Sequence, residues 1–134
     1  MRITGGILGG RRITVPGDPV RPTTDMVREA LFAILSQKVV GARFLDLYAG
    51  SGAVGLEAWS RGAGFVHWVE LDPRNLRILK ENVTKLCDAR TRISHADGPR
   101  FLKKKLVGEK YDIIFADPPY SKVGRLGALA MILD

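Results

Sequence analysis

The run Asp117-Pro118-Pro119-Tyr120 has the composition of a reaction site. Two successive prolines fix the backbone and remove two amide donors. What they leave is an acceptor-only patch, with the Asp117 carboxylate and the Pro118 carbonyl as its oxygens. Such a patch suits a planar exocyclic amine. Those oxygens take the amine's hydrogens and help the nitrogen pyramidalise, so that its lone pair can point at an electrophilic carbon. Tyr120 offers a π face on which a flat ring can stack. A base presented this way would have to leave its helix or loop. The alternative for the run is a rigid loop behind a core strand.

Three other short runs carry similar potential. Asp46-Leu47-Tyr48-Ala49-Gly50-Ser51-Gly52 places glycines where a backbone can turn sharply and approach a ligand. Residues 50–55 match the pattern G-x-G-x-x-G, which usually cradles a pyrophosphate ahead of a helix N-terminus. Asp46 at the mouth of that loop would repel a dianion and favours a cationic ligand. Glu70 follows Gly50 by 20 residues, the spacing at which an acid reaches the ribose hydroxyls of a nucleoside. With Asp72 serving as a helix cap, Glu70 is free for a ligand. His95-Ala96-Asp97-Gly98 offers Asp97 as an acceptor for an adenine amino group, with Phe101 packing near the ring. Asp97 is equally placed to cap a helix at Pro99, and the two roles can coexist. His67 and His95 stand without metal-ligand spacing and read as structural or surface residues, so no metal site is expected.

These runs share one property: each follows a predicted strand. Phe44–Tyr48 reads as a buried strand, Phe65–Glu70 and Tyr111–Ala116 as further strands, and Thr91–Ala96 as a weaker one. Helices are predicted between them over about 53–61, closed by Gly62, over 73–86 with Asp72 as N-cap and Pro73 first, and over about 100–107. Leu76, Leu79, Val83 and Leu86 form the inner stripe of the second of these. Ahead of the first strand, Thr23 or Thr24 caps a helix to about Lys38 that buries Val27, Ala30, Leu31, Ile34 and Leu35. Residues 124–133 are expected to be helical. Alternating strands and helices imply an α/β, Rossmann-like fold, a mostly parallel sheet with helices on both faces. Ligands in such folds bind beyond the carboxyl ends of the strands.

The chain has 134 residues, a formal net charge of +7 and one cysteine, Cys87. No apolar run is long enough to span a bilayer, the N-terminus lacks the apolar core of a signal peptide, and a lone cysteine forms no internal disulfide. A cytoplasmic setting is expected. The charge favours polyanions through phosphate contacts, although a basic surface with no partner gives the same number. Part of that charge lies in Arg2-Ile3-Thr4 and Arg11-Arg12-Ile13-Thr14-Val15, which read as a basic hairpin around Gly5-Gly6 and Gly9-Gly10. Pro16, Pro19 and Pro22 make a stiff connector. The expected division is a hairpin and connector over 1–22 and a larger domain over 23–134.

Taken together, the glycine loop, Glu70, Asp97 and Asp117-Pro118-Pro119-Tyr120 resemble motifs I to IV of class I S-adenosylmethionine-dependent amino-methyltransferases. The stretch Arg21-Pro22-Thr23-Thr24-Asp25-Met26-Val27-Arg28-Glu29-Ala30-Leu31-Phe32, the basic hairpin and the glycine loop are together similar to the RsmD-type methyltransferases, bacterial enzymes acting on N2 of a guanine in small-subunit (16S) ribosomal RNA. The resemblance implies S-adenosyl-L-methionine as cofactor, held by Asp46, Tyr48, Ala49, Gly50, Ser51, Gly52, Glu70, Leu71, Asp97, Gly98 and Asp117. It implies Asp117, Pro118, Pro119 and Tyr120 as the catalytic amine pocket. It also implies contact with ribosomal RNA, or the small subunit during assembly, through Arg2, Arg11, Arg12, Arg21, Thr24 and Arg28, the last two near the cofactor's methionine end or the path of the RNA. The hairpin alone reads equally as a simple edge ribbon.

The family's final strands are expected to be missing from this chain, which would leave the strand before Asp117 as a bare sheet edge bearing Ile113, Ile114 and Phe115. Two other classes of acceptor share the amine-pocket motif: adenine N6 in DNA, and the glutamine amide of release factors. A non-catalytic cofactor- or RNA-binding module is the alternative of another kind, and a nicotinamide oxidoreductase is more distant.

Overall fold

The computed structural model describes residues 1–17, 24–105, 110–118 and 129–132. Strands β1 (Arg43–Leu47), β2 (Phe65–Glu70), β3 (Thr91–His95), β4 (Ile113–Ala116) and β5 (Leu129–Ile132) form one sheet in the order β3-β2-β1-β4-β5. The first four are mutually parallel, and β5 pairs antiparallel with β4. Helices α1 (Asp25–Leu35), α2 (Ala53–Ser60), α3 (Pro73–Leu86) and α4 (Gly98–Lys105) supply the layers.

Side chains alternate along each strand, so two apolar clusters form, one on each face. Phe44, Val66, Trp68, Ile113 and Phe115 pack with residues of α1, α2 and α3. Leu45, Leu47, Val69 and Ile114 pack with Phe101 of α4 and with Tyr111. Each large side chain buried this way contributes about 1.5–3 kcal/mol, and Phe44, Leu45, Trp68 and Ile113 are fully buried. The local signals for α3 operate as expected. Asp72 accepts the Arg74 N–H, Pro73 opens the helix, and Leu76, Leu79, Val83 and Leu86 face inward.

The N-terminal hairpin is real but short: a single antiparallel bridge pairs Arg2 with Arg12. It is not a free ribbon. Ile3 and Ile13 are buried in the same core as α1, α2 and α3, which leaves Arg2 and Arg12, one residue away on each strand, facing outward.

Three expectations are corrected. Leu129–Ile132 is a strand, not part of a helix. A short apolar run does not choose its own period, and pairing with β4 satisfies an otherwise open row of amides and carbonyls. For the same reason β4 is not a bare edge: Ile113, Ile114 and Phe115 pair with Ile132, Met131 and Ala130. In α1 the buried face is Arg28, Phe32 and Leu35, while Ala30 and Ile34 point to solvent. The face is rotated because a buried arginine, invisible to an apolar count, anchors it. Thr24 is the α1 cap, its hydroxyl accepting the Val27 N–H at 3.2 Å.

Candidate functional site at the carboxyl ends of the strands

Strand order reverses between β1 and β4, since β1 continues to β2 on one side and meets β4 on the other. A crevice opens at such a point, beyond the carboxyl ends of the strands. Leu47 is in register with Val69 of β2 and with Ala116 of β4. The next residue on each chain is therefore Tyr48, Glu70 and Asp117, which brings the candidates from three separate runs to one end of the sheet.

The loop after β1 is held from beneath. Tyr48 ends the strand with φ of 58°, an uncommon value for a side chain other than glycine. Gly50 has φ of 59°, and nothing lies within 4 Å of where its Cβ would be, so this turn is open on its outer side. Gly55 is the reverse case. A Cβ there would sit 2.2 Å from Trp68 Nε1, so the first turn of α2 rests directly on the indole. The same indole nitrogen donates to the Gly52 carbonyl at 3.1 Å.

Asp46 is only 2% exposed and accepts the Gly55 N–H at 2.9 Å. It stands behind the loop rather than at its mouth, because it shares the α2-facing side of β1 with Phe44. Burial pushes its carboxyl well above the usual carboxylate range. The Gly55 amide opposes that shift, and the charges of Glu70 and Asp117 add to it. Three carboxylates thus feel one another across adjacent strand ends.

Glu70 is not idle, contrary to the expectation that a capping Asp72 would leave it free. Its Oε1 accepts the Gly50 N–H at 2.7 Å and its Oε2 accepts the Asp72 N–H at 2.9 Å. A carboxylate has about four acceptor sites, so capacity for a ligand hydroxyl remains. Beside it Leu71 is 55% exposed, a large apolar side chain at the rim of the crevice. Asp97 caps α4: its Oδ2 accepts the Arg100 N–H at 3.2 Å. Gly98 lies under the Tyr48 ring, where a Cβ would come within 2.7 Å of Cζ. Phe101 does not border the crevice. It is buried edge-on against His67, ring centroids 5.1 Å apart, in the cluster on the α4 face. His67 is structural, bonded at 2.7 Å to the Tyr111 hydroxyl and at 2.8 Å to that of Ser94. Asp117 and Pro118 are partly buried just beyond β4. Pro119 and Tyr120 lie outside the described residues.

Of the basic candidates, Arg2, Arg11 and Arg12 are exposed on the hairpin, and Arg21 lies outside the described residues. Arg28 is corrected. It is fully buried, its guanidinium bonded to Glu57 at 3.3 Å, to Asp25 at 2.7 Å and to the Arg2 carbonyl. It ties α1 to α2 and the hairpin and presents no surface to an RNA. Glu57 collects further donors: the Thr4 and Gly5 amides at 3.0 Å and Arg61 at 2.8 Å. Burial alone would raise the Glu57 carboxyl; the bonds from Arg61, Thr4 and Arg28 outweigh it and hold the group below its ordinary value.

Sequence reasoning passed over Trp68, Glu57 and Asn82, all of which shape the loop or its supports. The signal for Asn82 was a polar residue within the apolar stripe of α3. For Glu57 it was a lone acid in the otherwise uncharged helix Ala53–Ser60.

The arrangement offers carboxylates, an open glycine turn and an exposed apolar side chain around one crevice. It can attract a cation, accept hydroxyl or amine hydrogens and seat a flat ring. Comparison with known proteins agrees in kind. Residues 1–133 match the family described as Conserved hypothetical protein 95. Ribosomal RNA small subunit methyltransferase D of Escherichia coli (strain K12) is 42% identical over 123 residues, covering 91% of this chain and 61% of that protein. YlbH of Bacillus subtilis (strain 168) is 36% identical over 137 residues, covering all of this chain and 74% of the relative. The solved structure of yhhF from Escherichia coli superposes with a TM-score of 0.80 at 38% identity, covering 91% of this chain and 65% of that one. The chain thus spans about three fifths of the length of the Escherichia coli relative, 61%.

Proposed function

This chain belongs to the family described as Conserved hypothetical protein 95, the RsmD family, and on that footing we propose that it methylates ribosomal RNA with S-adenosyl-L-methionine, at the N2 amino group of a guanine in the small subunit. The observation that carries the proposal is the meeting of Asp46, Glu70 and Asp117 at adjacent strand ends around the open Gly50 turn.

The residues present fit that cofactor. Gly50 leaves room where any other residue would place a Cβ, and Leu71 gives a flat base an apolar neighbour. Glu70 keeps acceptor capacity for ribose hydroxyls, and the shared negative field of the carboxylates favours a positively charged ligand. When bound, the cofactor supplies an electrophilic methyl group on a sulfonium.

The chain's own residues do the rest. Tyr48, Ala49, Gly50, Ser51 and Gly52 shape the turn around the ligand. Asp97 and Gly98 line the third strand end, with Asp97 reading the adenine amine through acceptor capacity left after capping α4. Asp117 and the Pro118 carbonyl accept the two hydrogens of the guanine amine, and Tyr120 stacks on the base. Arg2, Arg11 and Arg12 of the hairpin, with Arg21 and the exposed Thr24, contact RNA phosphates. The outward-facing Arg2–Arg12 pair supports this, because two like charges placed opposite each other are mildly destabilising and a phosphate beside them would offset that, with Arg2 also donating to the Gly10 carbonyl at 2.8 Å.

The test offers tritiated S-adenosylmethionine with unmodified small ribosomal subunits, naked small-subunit rRNA, duplex DNA and a release factor. Label in rRNA alone is expected. Label in DNA or protein but not rRNA would reject the substrate, and cofactor binding without transfer to any acceptor would favour a non-catalytic module.

A further inference from the structure

The glycine turn and the N-terminal hairpin are far apart in sequence, yet one side chain holds both. Asn82 of α3 is 2% exposed. Its Oδ1 accepts the Thr14 N–H at 3.0 Å, and its Nδ2 donates to the Thr14 carbonyl at 2.8 Å and the Ser51 carbonyl at 2.9 Å. One amide N–H needs an acceptor and two carbonyls need donors, and this orientation of the carboxamide supplies both. Each hydrogen of the Asn82 amide is committed, one to the hairpin and one to the turn.

A second connection runs through α2, the helix that leaves the turn. Ser60 donates to the Gly5 carbonyl at 2.5 Å and accepts the Leu8 N–H at 2.8 Å, while Glu57 takes the Thr4 and Gly5 amides. The hairpin is therefore fastened to both helices that flank residues 50–52. Ile3 and Ile13 bury its inner face in the core shared with these helices.

We infer that Asn82 is a positioning residue that couples the hairpin to the glycine turn, so that order in one is order in the other. The inference rests on the proposed role of the 50–52 turn in holding the cofactor. Ser51 sits between two left-handed glycines, Gly50 at φ of 59° and Gly52 at φ of 92°, in a segment with little conformational preference of its own. Tethering the Ser51 carbonyl selects one shape of that turn. The tether is oriented by Thr14, two residues from Arg12 on the outward face of the hairpin. A polyanion that orders the hairpin thereby tightens the turn, and a ligand in the turn tightens the hairpin by the same factor.

The experiment compares the full chain with Asn82→Ala, Thr14→Pro and the double variant. Thr14→Pro removes the N–H given to Asn82 by a change in the hairpin and not in α3, so it tests the coupling even where Asn82→Ala folds poorly. Amide hydrogen exchange without ligand is measured first, then S-adenosylhomocysteine affinity by calorimetry. We expect exchange of the Ser51 to Gly55 amides to accelerate about tenfold or more in each single variant, the effect of losing one or two buried hydrogen bonds. Exchange in β1 and β2 should stay unchanged. Affinity should fall about tenfold in each, and the double variant should be little worse than either, as expected for groups acting in one network. Unchanged exchange and affinity in Thr14→Pro would overturn the coupling, as would acceleration spread evenly over β1 and β2. A chain that binds no S-adenosylhomocysteine in any form would sink the cofactor reading instead, and the exchange pattern alone would then decide the coupling.

Discussion

The backbone N–H of Gly50 donates to Glu70 Oε1 at 2.7 Å, joining the turn after β1 to the end of β2. The same carboxylate takes the Asp72 N–H at the start of α3. One side chain thus joins the glycine turn to the start of the next helix, and it keeps acceptor capacity beyond these two bonds.

Replacing Glu70 with Gln therefore does more than remove a charge. One of its two half-buried amide partners would face an NH2 group in place of an oxygen, at a cost of about 1 kcal/mol. Glu70→Gln is expected to lower the melting temperature and to weaken S-adenosylhomocysteine binding at least tenfold by calorimetry. Normal affinity would remove Glu70 from the binding set.

Asp46 leads to the opposite expectation for stability. Its carboxyl is raised by burial and by the neighbouring acids, so keeping it ionised costs more in the folded chain than in the unfolded one. The contribution from such a group is fully present below the unfolded pKa, near 3.8, and is lost as pH rises through the higher folded value. Asp46→Asn keeps an oxygen for the Gly55 N–H and removes the charge. The variant should melt higher than the parent at pH 7–8, with the gap closing towards about pH 4, while its affinity for the cationic S-adenosylmethionine falls. Equal melting curves across that range would refute the shift.

Much of this geometry is legible in the residues alone. Apolar runs announce β1, β2 and β4, Asp72-Pro73 announces α3, and the acids at the strand ends announce the crevice, while β3, with Ile93 as its one apolar residue, is signalled only weakly. What stays hidden depends on partners distant in sequence. Leu129–Ile132 is too short to declare its period, and β4 decides it. Arg28 reads as a surface cation because nothing local reveals that Glu57, 29 positions later, waits in the core. Glu70 reads as free because its second partner, Gly50, lies 20 residues earlier. Asn82 bonds to Thr14 across 68 positions.

Glu57 makes the fold sensitive to acid. Its carboxyl is held below the ordinary value of 4.5, so its contribution is fully present above that pH and is lost as pH falls through the lower folded value. Thermal melts from pH 6 to about pH 3 should show this loss in the parent and a flatter profile in Glu57→Gln. Arg28→Met should destabilise the parent by about 1.5–3 kcal/mol at pH 7, since it removes a buried charge-assisted bond to Glu57 and the donor to the Arg2 carbonyl, while Arg61, Thr4 and Gly5 still hold the acid. A loss below about 1 kcal/mol would contradict the buried network, in line with a surface pair.

The hairpin arginines should act by neutralising phosphates. Changing Arg2, Arg11 and Arg12 together to Gln should weaken binding of small-subunit rRNA fragments evenly across sequences. The slope of log affinity against log salt should flatten by about 2–3, close to one for each phosphate no longer neutralised. S-adenosylhomocysteine affinity measured without RNA should change little. An unaltered salt slope would make the hairpin a purely structural brace.

The central claim concerns one base in one RNA, and mass mapping of small-subunit rRNA addresses it most directly. In a strain lacking the gene for this chain, one guanine should lose its N2 methyl group and regain it on complementation, but not with Asp117→Ala. An rRNA methylation map identical to that of the parent strain would contradict the account.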